Sequence, residues 1–244
     1  MTPGLRTTVS PRWRRLLRAG AFGLGGAIPV VALAFAVRAR SGLVLDLDAS
    51  AISSATAVTR AHPALHTAMV VWQEMFHGRV INPAVSLVCL WVWRRHGLTT
   101  RALWGFLTLM AAWALGPVVK ELVRRARPVV EDAVSHAPGY SFPSGHAANA
   151  AAAGLTLILV LWPLLGPRAR TVLPVVVGVL VVLTALDRVY LGVHYPSDVV
   201  GGILFGGVLV GASYLGFLGW NPPSPAELIH HDEQESSRAV PPPL

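Results

Sequence analysis

The sequence is short of cysteine, of lysine and of charge in general. Its one cysteine, Cys89, excludes an internal disulfide and a cysteine-based metal cluster. It lies inside an apolar run, where a thiol reads as a small buried side chain. Charged residues make up 13% of the 244 positions and hydrophobic residues 53%. Soluble domains carry about 25% charge, so a water-soluble globule is excluded. Acidic residues number 12 against 20 Lys and Arg, for a net charge of +8. The basic residues come in short clusters beside apolar runs. That pattern excludes a continuous basic face for nucleic acid and fits the loops of a membrane protein.

What is present is a series of apolar runs near the ~18 residues a membrane helix needs. Six read as spans: 19–37, 80–93, 102–119, 147–165, 172–186 and 199–220. The expected fold class is all-α: a polytopic membrane protein with six transmembrane helices in a bundle. The 19–37 run is longer than the ~7–15 residues of a signal-peptide core, so a retained helix is expected. The 80–93 run is short enough to need length from the helix before it. Residues 38–60 read as a mixed loop, and 63–77 as a short helix lying at the interface. A glycine-rich face in the last span (Gly201, Gly202, Gly206, Gly207, Gly211) permits close helix packing.

The organisation expected is a basic cytoplasmic N-terminus over 1–18, a membrane domain over 19–220 and a disordered cytoplasmic tail over 221–244. Arginines in the N-terminus, the 94–101 turn and the 168–170 turn mark one side as cytoplasmic. Trp91, Trp93, Trp104, Trp162 and Trp220 gather near that side, as an aromatic belt does. The extracytoplasmic face then carries 38–79, 120–146 and 187–198. Lys120, Arg124, Arg125 and Arg127 fall on this outer face and break the positive-inside pattern. Something other than topology must hold them there.

Three segments of that face carry chemistry. Lys120, the only lysine, stands seven residues before Arg127. If the helix continues to Pro128, the two share a face and Arg124 lies on the same stripe, which makes an anion site. In Pro143-Ser144-Gly145-His146, Ser144 is expected to N-cap the next span, and Gly145 leaves its N–H unshielded. His146 falls in the first turn, beside any anion held there. In the third segment, Arg188 offers a planar fork of donors suited to phosphate oxygens. Asp198, four residues after His194, can hold one imidazole N–H and leave the other nitrogen free to attack.

Lys120-x6-Arg127-Pro128, Pro143-Ser144-Gly145-His146 and Arg188-x5-His194-x3-Asp198 resemble three motifs of one family in order and spacing. They are the signatures of the type 2 phosphatidate phosphatase and vanadium haloperoxidase superfamily. The six-helix layout resembles its membrane lipid-phosphatase branch over roughly residues 19–220. The resemblance implies a metal-independent, cofactor-free phosphatase acting on a lipid phosphate within the bilayer. Phosphatidate, phosphatidylglycerol phosphate and undecaprenyl diphosphate are the substrate types it implies. It makes His194 the nucleophile, oriented by Asp198, and His146 the acid and then the base. Lys120, Arg127, Arg188, Ser144 and Gly145 become the phosphate ligands. Two other classes share such an anion site. Vanadate-dependent haloperoxidases resemble soluble helical proteins, and a non-catalytic lipid-phosphate carrier needs neither acid nor nucleophile. One position departs from the family, which usually has Ser where this chain has Asp187. That carboxylate is expected to turn away from the site and pair with Arg124 or Arg125.

Overall fold

The computed structural model describes residues 11–129 and 138–217. The tail expected over 221–244 lies outside the described residues, as do positions 1–10 of the basic N-terminus. Among the described residues there is no strand. The chain runs through α1 (Pro11–Arg38), α2 (Gly42–Ala61), α3 (Pro63–Met75), α4 (Gly78–His96), α5 (Thr99–Val123), α6 (Gly145–Leu161), α7 (Pro167–Tyr190) and α8 (Pro196–Phe217). A short 3-10 turn, Trp162–Leu164, extends α6.

Five of these elements, α1, α5, α6 with its turn, α7 and α8, are long and apolar enough to cross a bilayer. α3 and α4 meet at a 47° bend and qualify together as a sixth. The helix read as interfacial, α3, is thus joined to α4 at a sharp bend, as in a broken span or a re-entrant loop. Large apolar side chains cover the outside, with Leu24, Phe35 and Leu122 all more than 70% exposed. Lipid tails satisfy that surface, and the helices satisfy their own backbones.

α6 is the central helix. Ala147, Ala148 and Ala150–Ala153 are buried, and these small side chains let α4, α5, α7 and α8 pack closely around it. The tightest approach is to α8. A Cβ on Gly202 would stand 2.6 Å from the Ser144 carbonyl oxygen, and one on Gly206 2.4 Å from that of Ala148. Glycine at these two positions lets the backbones touch. The Ser144 N–H then donates to the Asp198 carbonyl at 2.9 Å. This crossing sets the third motif against the second.

Three expectations need correction. Residues 42–61 are helix, not loop. Asp48, Ile52, Ala55, Thr56 and Thr59 form a buried stripe, and the Thr56 and Thr59 hydroxyls bond the carbonyls one turn back. α2 lies across the site end of the bundle: Ser197 donates its N–H to Asp48 at 3.0 Å, and Thr59 donates to the Tyr190 carbonyl at 2.9 Å. A second correction is at α5, which stops at Val123 and does not reach Arg127. Arg124 takes the left-handed conformation (φ 53°) and donates its N–H to the Lys120 carbonyl. Trp104 also leaves the expected aromatic belt: it is buried and donates to Ser213 Oγ at 2.9 Å.

Candidate active site

The end of α5 and the irregular stretch after it carry the first cations. Lys120 Nζ donates to the carbonyl oxygens of Tyr140 (2.7 Å) and Ser141 (3.4 Å). Its stem lies over Gly145, where a Cβ would stand 3.9 Å from Lys120 Cε. Arg127 spreads its guanidinium across the carbonyls of Pro138, Gly139 and Val193 at 2.8–3.0 Å. It therefore clamps the second motif's approach to the third. Lys120 and Arg127 converge although they share no helix stripe. Arg124 does not join them: it is exposed, 3.8 Å from Glu121.

Ser144 holds the N-cap position of α6, as expected, but its side chain makes no capping bond. Its Oγ is buried and has no hydrogen-bond partner among the described residues. An unpaired buried hydroxyl costs about 1–3 kcal/mol. The first-turn N–H groups of a helix have no intrahelical acceptor, so hydroxyl and backbone together offer donors suited to an anion.

His194 sits behind these donors. Its Nδ1 is 3.5 Å from Asp198 Oδ2, and its Nε2 is 3.2 Å from an Arg127 Nη. Arg127 only donates, so Nε2 carries a lone pair and the proton belongs on Nδ1. Asp198 Oδ2 also accepts from the Ser141 hydroxyl and, at 2.9 Å, from the Tyr195 N–H. Burial pushes the His194 imidazole down to about 4, against the upward pull of Asp198. It is neutral at pH 7. His146, in the first turn of α6, has Nε2 3.3 Å from the Gln73 carbonyl and its ring edge-on to His77. It lies within electrostatic reach of Arg188 and His194.

Arg188 is buried in the last turn of α7. Asp187 does not pair with Arg124 or Arg125. Its Oδ2 accepts from Nε and Nη2 of Arg188 itself, and its Oδ1 has no partner among the described residues. Neighbouring helix positions diverge by about 100°, but the arginine stem is long enough to curl back.

Residues 101–221 match the model of the PAP2 superfamily. All three motifs lie in that segment, and their side chains meet at one end of the bundle. The chain carries a PAP2-superfamily domain. It is 40% identical over 95 residues to phosphatidylglycerophosphatase B of Bacillus subtilis, covering 38% of this chain and 46% of that one. It is 42% identical over 98 residues to a decaprenylphosphoryl-5-phosphoribose phosphatase of Mycobacterium tuberculosis, covering 39% and 49%. An undecaprenyl-diphosphatase of Sulfolobus acidocaldarius is 34% identical over 105 residues, covering 41% and 47%. The chain thus spans about half the length of these relatives. The fold is shared with a crystal structure of a transmembrane PAP2-type phosphatidylglycerolphosphate phosphatase from Bacillus subtilis. The TM-score is 0.72 at 24% identity, over 84% of this chain and 99% of that one.

Four residues around Asp198 were given no role by the sequence reading: Asp48, Arg125, Ser141 and Ser197. Arg125 entered that reading only as a basic residue that breaks the expected positive-inside pattern and as a candidate partner for Asp187. It is buried, with Nη1 2.7 Å from Asp198 Oδ1 and Nη2 2.6 Å from Asp48 Oδ2. Asp48 lies far upstream in α2 and outside the PAP2 segment, so no spacing links it to the motifs. Among the described residues no group of three or more His, Cys, Asp or Glu is placed to hold a metal ion.

Proposed function

We propose that this chain is an integral-membrane phosphatase that hydrolyses a lipid phosphate or polyprenyl diphosphate through a phosphohistidine. One observation carries the reading. A neutral, buried imidazole has a carboxylate behind Nδ1 and a phosphate-type arginine in front of Nε2.

In this mechanism the phosphate enters the seat formed by Ser144, Gly145, Lys120, Arg127 and Arg188. Arg127 turns from Nε2 to a phosphate oxygen. His194 Nε2 attacks phosphorus as the bond to the leaving oxygen breaks, and His146 supplies that oxygen with a proton. Asp198 stabilises the charge that develops on the imidazole. Water then attacks the phosphohistidine, giving its proton to His146 and releasing inorganic phosphate and free His194. The cations and the α6 N-terminus stabilise the equatorial oxygens throughout, which is the task a magnesium ion performs elsewhere.

The relatives' names point to a phosphate or diphosphate on a long apolar alcohol. The lipid-covered outside of the bundle suits such a substrate, whose tail stays in the bilayer while its headgroup enters the site. In the domain reading, residues 19–220 form the phosphatase unit, between a cytoplasmic N-terminus and a cytoplasmic tail over 221–244. The arginine clusters in the short loops support an extracytoplasmic site.

The test is phosphate release by the purified protein in detergent from phosphatidate, phosphatidylglycerol phosphate and undecaprenyl diphosphate. Release from at least one, unchanged by chelator and blocked by vanadate, is expected. Release from none, or loss in chelator that magnesium restores, contradicts the proposal.

A further inference from the structure

Arg125 stands two residues before Arg127 but faces the other side of the catalytic pair. Its guanidinium is held in several directions. Nη1 donates to Asp198 Oδ1 at 2.7 Å and to Ser197 Oγ at 2.6 Å, and Nη2 donates to Asp48 Oδ2 at 2.6 Å. The guanidinium carbon lies 4.1 Å from the centre of the Tyr195 ring. Asp48, from α2, accepts further bonds from the Ser197 N–H (3.0 Å) and hydroxyl (2.5 Å). Two carboxylates and one guanidinium are thus buried together behind His194, with Asp48 2%, Asp198 0% and Arg125 8% exposed.

Burying such a cluster is a poor route to stability, because desolvation offsets the attraction and apolar packing serves as well. Its geometry points to another use. Asp198 orients His194 through Oδ2, which also takes the Ser141 hydroxyl and the Tyr195 N–H. A carboxylate held at one oxygen alone can still swing. Arg125 holds the other oxygen, and Asp48 in turn fixes Arg125.

We propose that the Asp48–Arg125 ion pair is a positioning element that locks the Asp198 carboxylate and, through it, aims His194 at phosphorus. The proposal rests on His194 being the nucleophile. Neither residue belongs to the phosphate cage. Asp48 lies outside the matched segment 101–221, so the segment that carries the motifs does not carry all of its positioning machinery.

The pair also sets the charge behind the imidazole. His194 is faced by Asp198 from α8, Lys120 from α5, Arg127 from the stretch after α5, and His146 from α6. Arg188 on α7 acts on Arg127 and His146. Arg125→Gln removes a cation and leaves two carboxylates unbalanced, which favours the imidazolium. Asp48→Asn removes an anion and disfavours it.

The experiment uses full-length protein in detergent and reads two things. In 15N-histidine NMR, with the His194 signal assigned by difference against His194→Gln, the titration midpoint should rise in Arg125→Gln and fall in Asp48→Asn. In steady-state kinetics on a lipid phosphate, kcat should drop on the order of ten- to a hundredfold in both, with KM within about threefold. Arg125→Lys should keep the wild-type midpoint and still lose kcat, because one ammonium cannot span both carboxylates. If Arg125→Gln does not fold, Asp48→Asn and Arg125→Lys carry the test. Midpoints that stay fixed or move in the same direction would overturn the proposal, as would a rise in KM at unchanged kcat. Wild-type protein that releases no phosphate would sink the phosphatase reading instead, and the midpoints would still decide the positioning role.

Discussion

Asp187 lies against the guanidinium of its own neighbour, Arg188, with Nε donating to Oδ2 at 2.8 Å. Both side chains are buried. The carboxylate therefore occupies part of the donor fork that a phosphate would use. Asp187→Ser should free those donors and tighten vanadate binding on the order of tenfold. It should also lower the melting temperature, because a buried charge loses its partner. Isothermal titration and thermal unfolding, with and without vanadate, check both. Weaker vanadate binding would mean that Asp187 aims Arg188 at the phosphate.

Ser144 offers a similar trade. Its hydroxyl is buried without a partner, so Ser144→Ala should raise the melting temperature of the empty protein slightly. The same change removes a donor from the phosphate seat and should cost on the order of ten- to a hundredfold in kcat/KM. A variant that loses stability and keeps full activity would place the hydroxyl outside the site.

The His194 imidazole titrates at about 4 in the fold, below the 6.5 of an ordinary histidine. Between those values the unfolded chain holds a proton that the folded chain does not. This contribution to stability is complete above about pH 6.5 and is lost as pH falls through about 4. Thermal unfolding followed from pH 7 to pH 4 should show a smaller fall in His194→Gln than in wild type, by a few degrees. Equal falls would show that His194 is not the buried neutral group described.

Orientation can be read in intact cells. Ala61 is exposed at the α2–α3 junction, on the site side of the bundle, and the native Cys89 is buried. Ala61→Cys in a Cys89→Ala background should react with an impermeant thiol reagent before lysis. Labelling only after lysis would place the site in the cytoplasm.

The motifs were legible because their chemistry sits at fixed spacings within 79 residues, from Lys120 to Asp198. The spans were legible because lipid-facing helices are apolar all round. α2 was not legible. Its buried stripe mixes Asp48 and Thr56 with Ile52, and it lies across the end of the bundle, so it has neither the hydropathy of a span nor the pattern of a soluble helix. The end of α5 was missed because Arg124 adopts a left-handed turn that Pro128 gives no reason to expect there. That turn separates three neighbouring arginines: Arg124 to the surface, Arg125 to Asp48 and Asp198, Arg127 to Nε2 of His194. Arg125 and Asp48 are 77 positions apart, and only the closed bundle brings them together. Arginines that break the expected positive-inside pattern were the one trace of this network in the sequence.

The central claim is that His194 attacks phosphorus. The most direct measurement is a rapid acid-free quench of the full-length protein with a radiolabelled lipid phosphate, followed by denaturing electrophoresis. Wild type should carry an acid-labile, alkali-stable phosphate, and His146→Ala should both form and lose it more slowly, because His146 serves both proton transfers. His194→Ala should carry none. A phosphoenzyme that forms normally in His194→Ala would contradict the account.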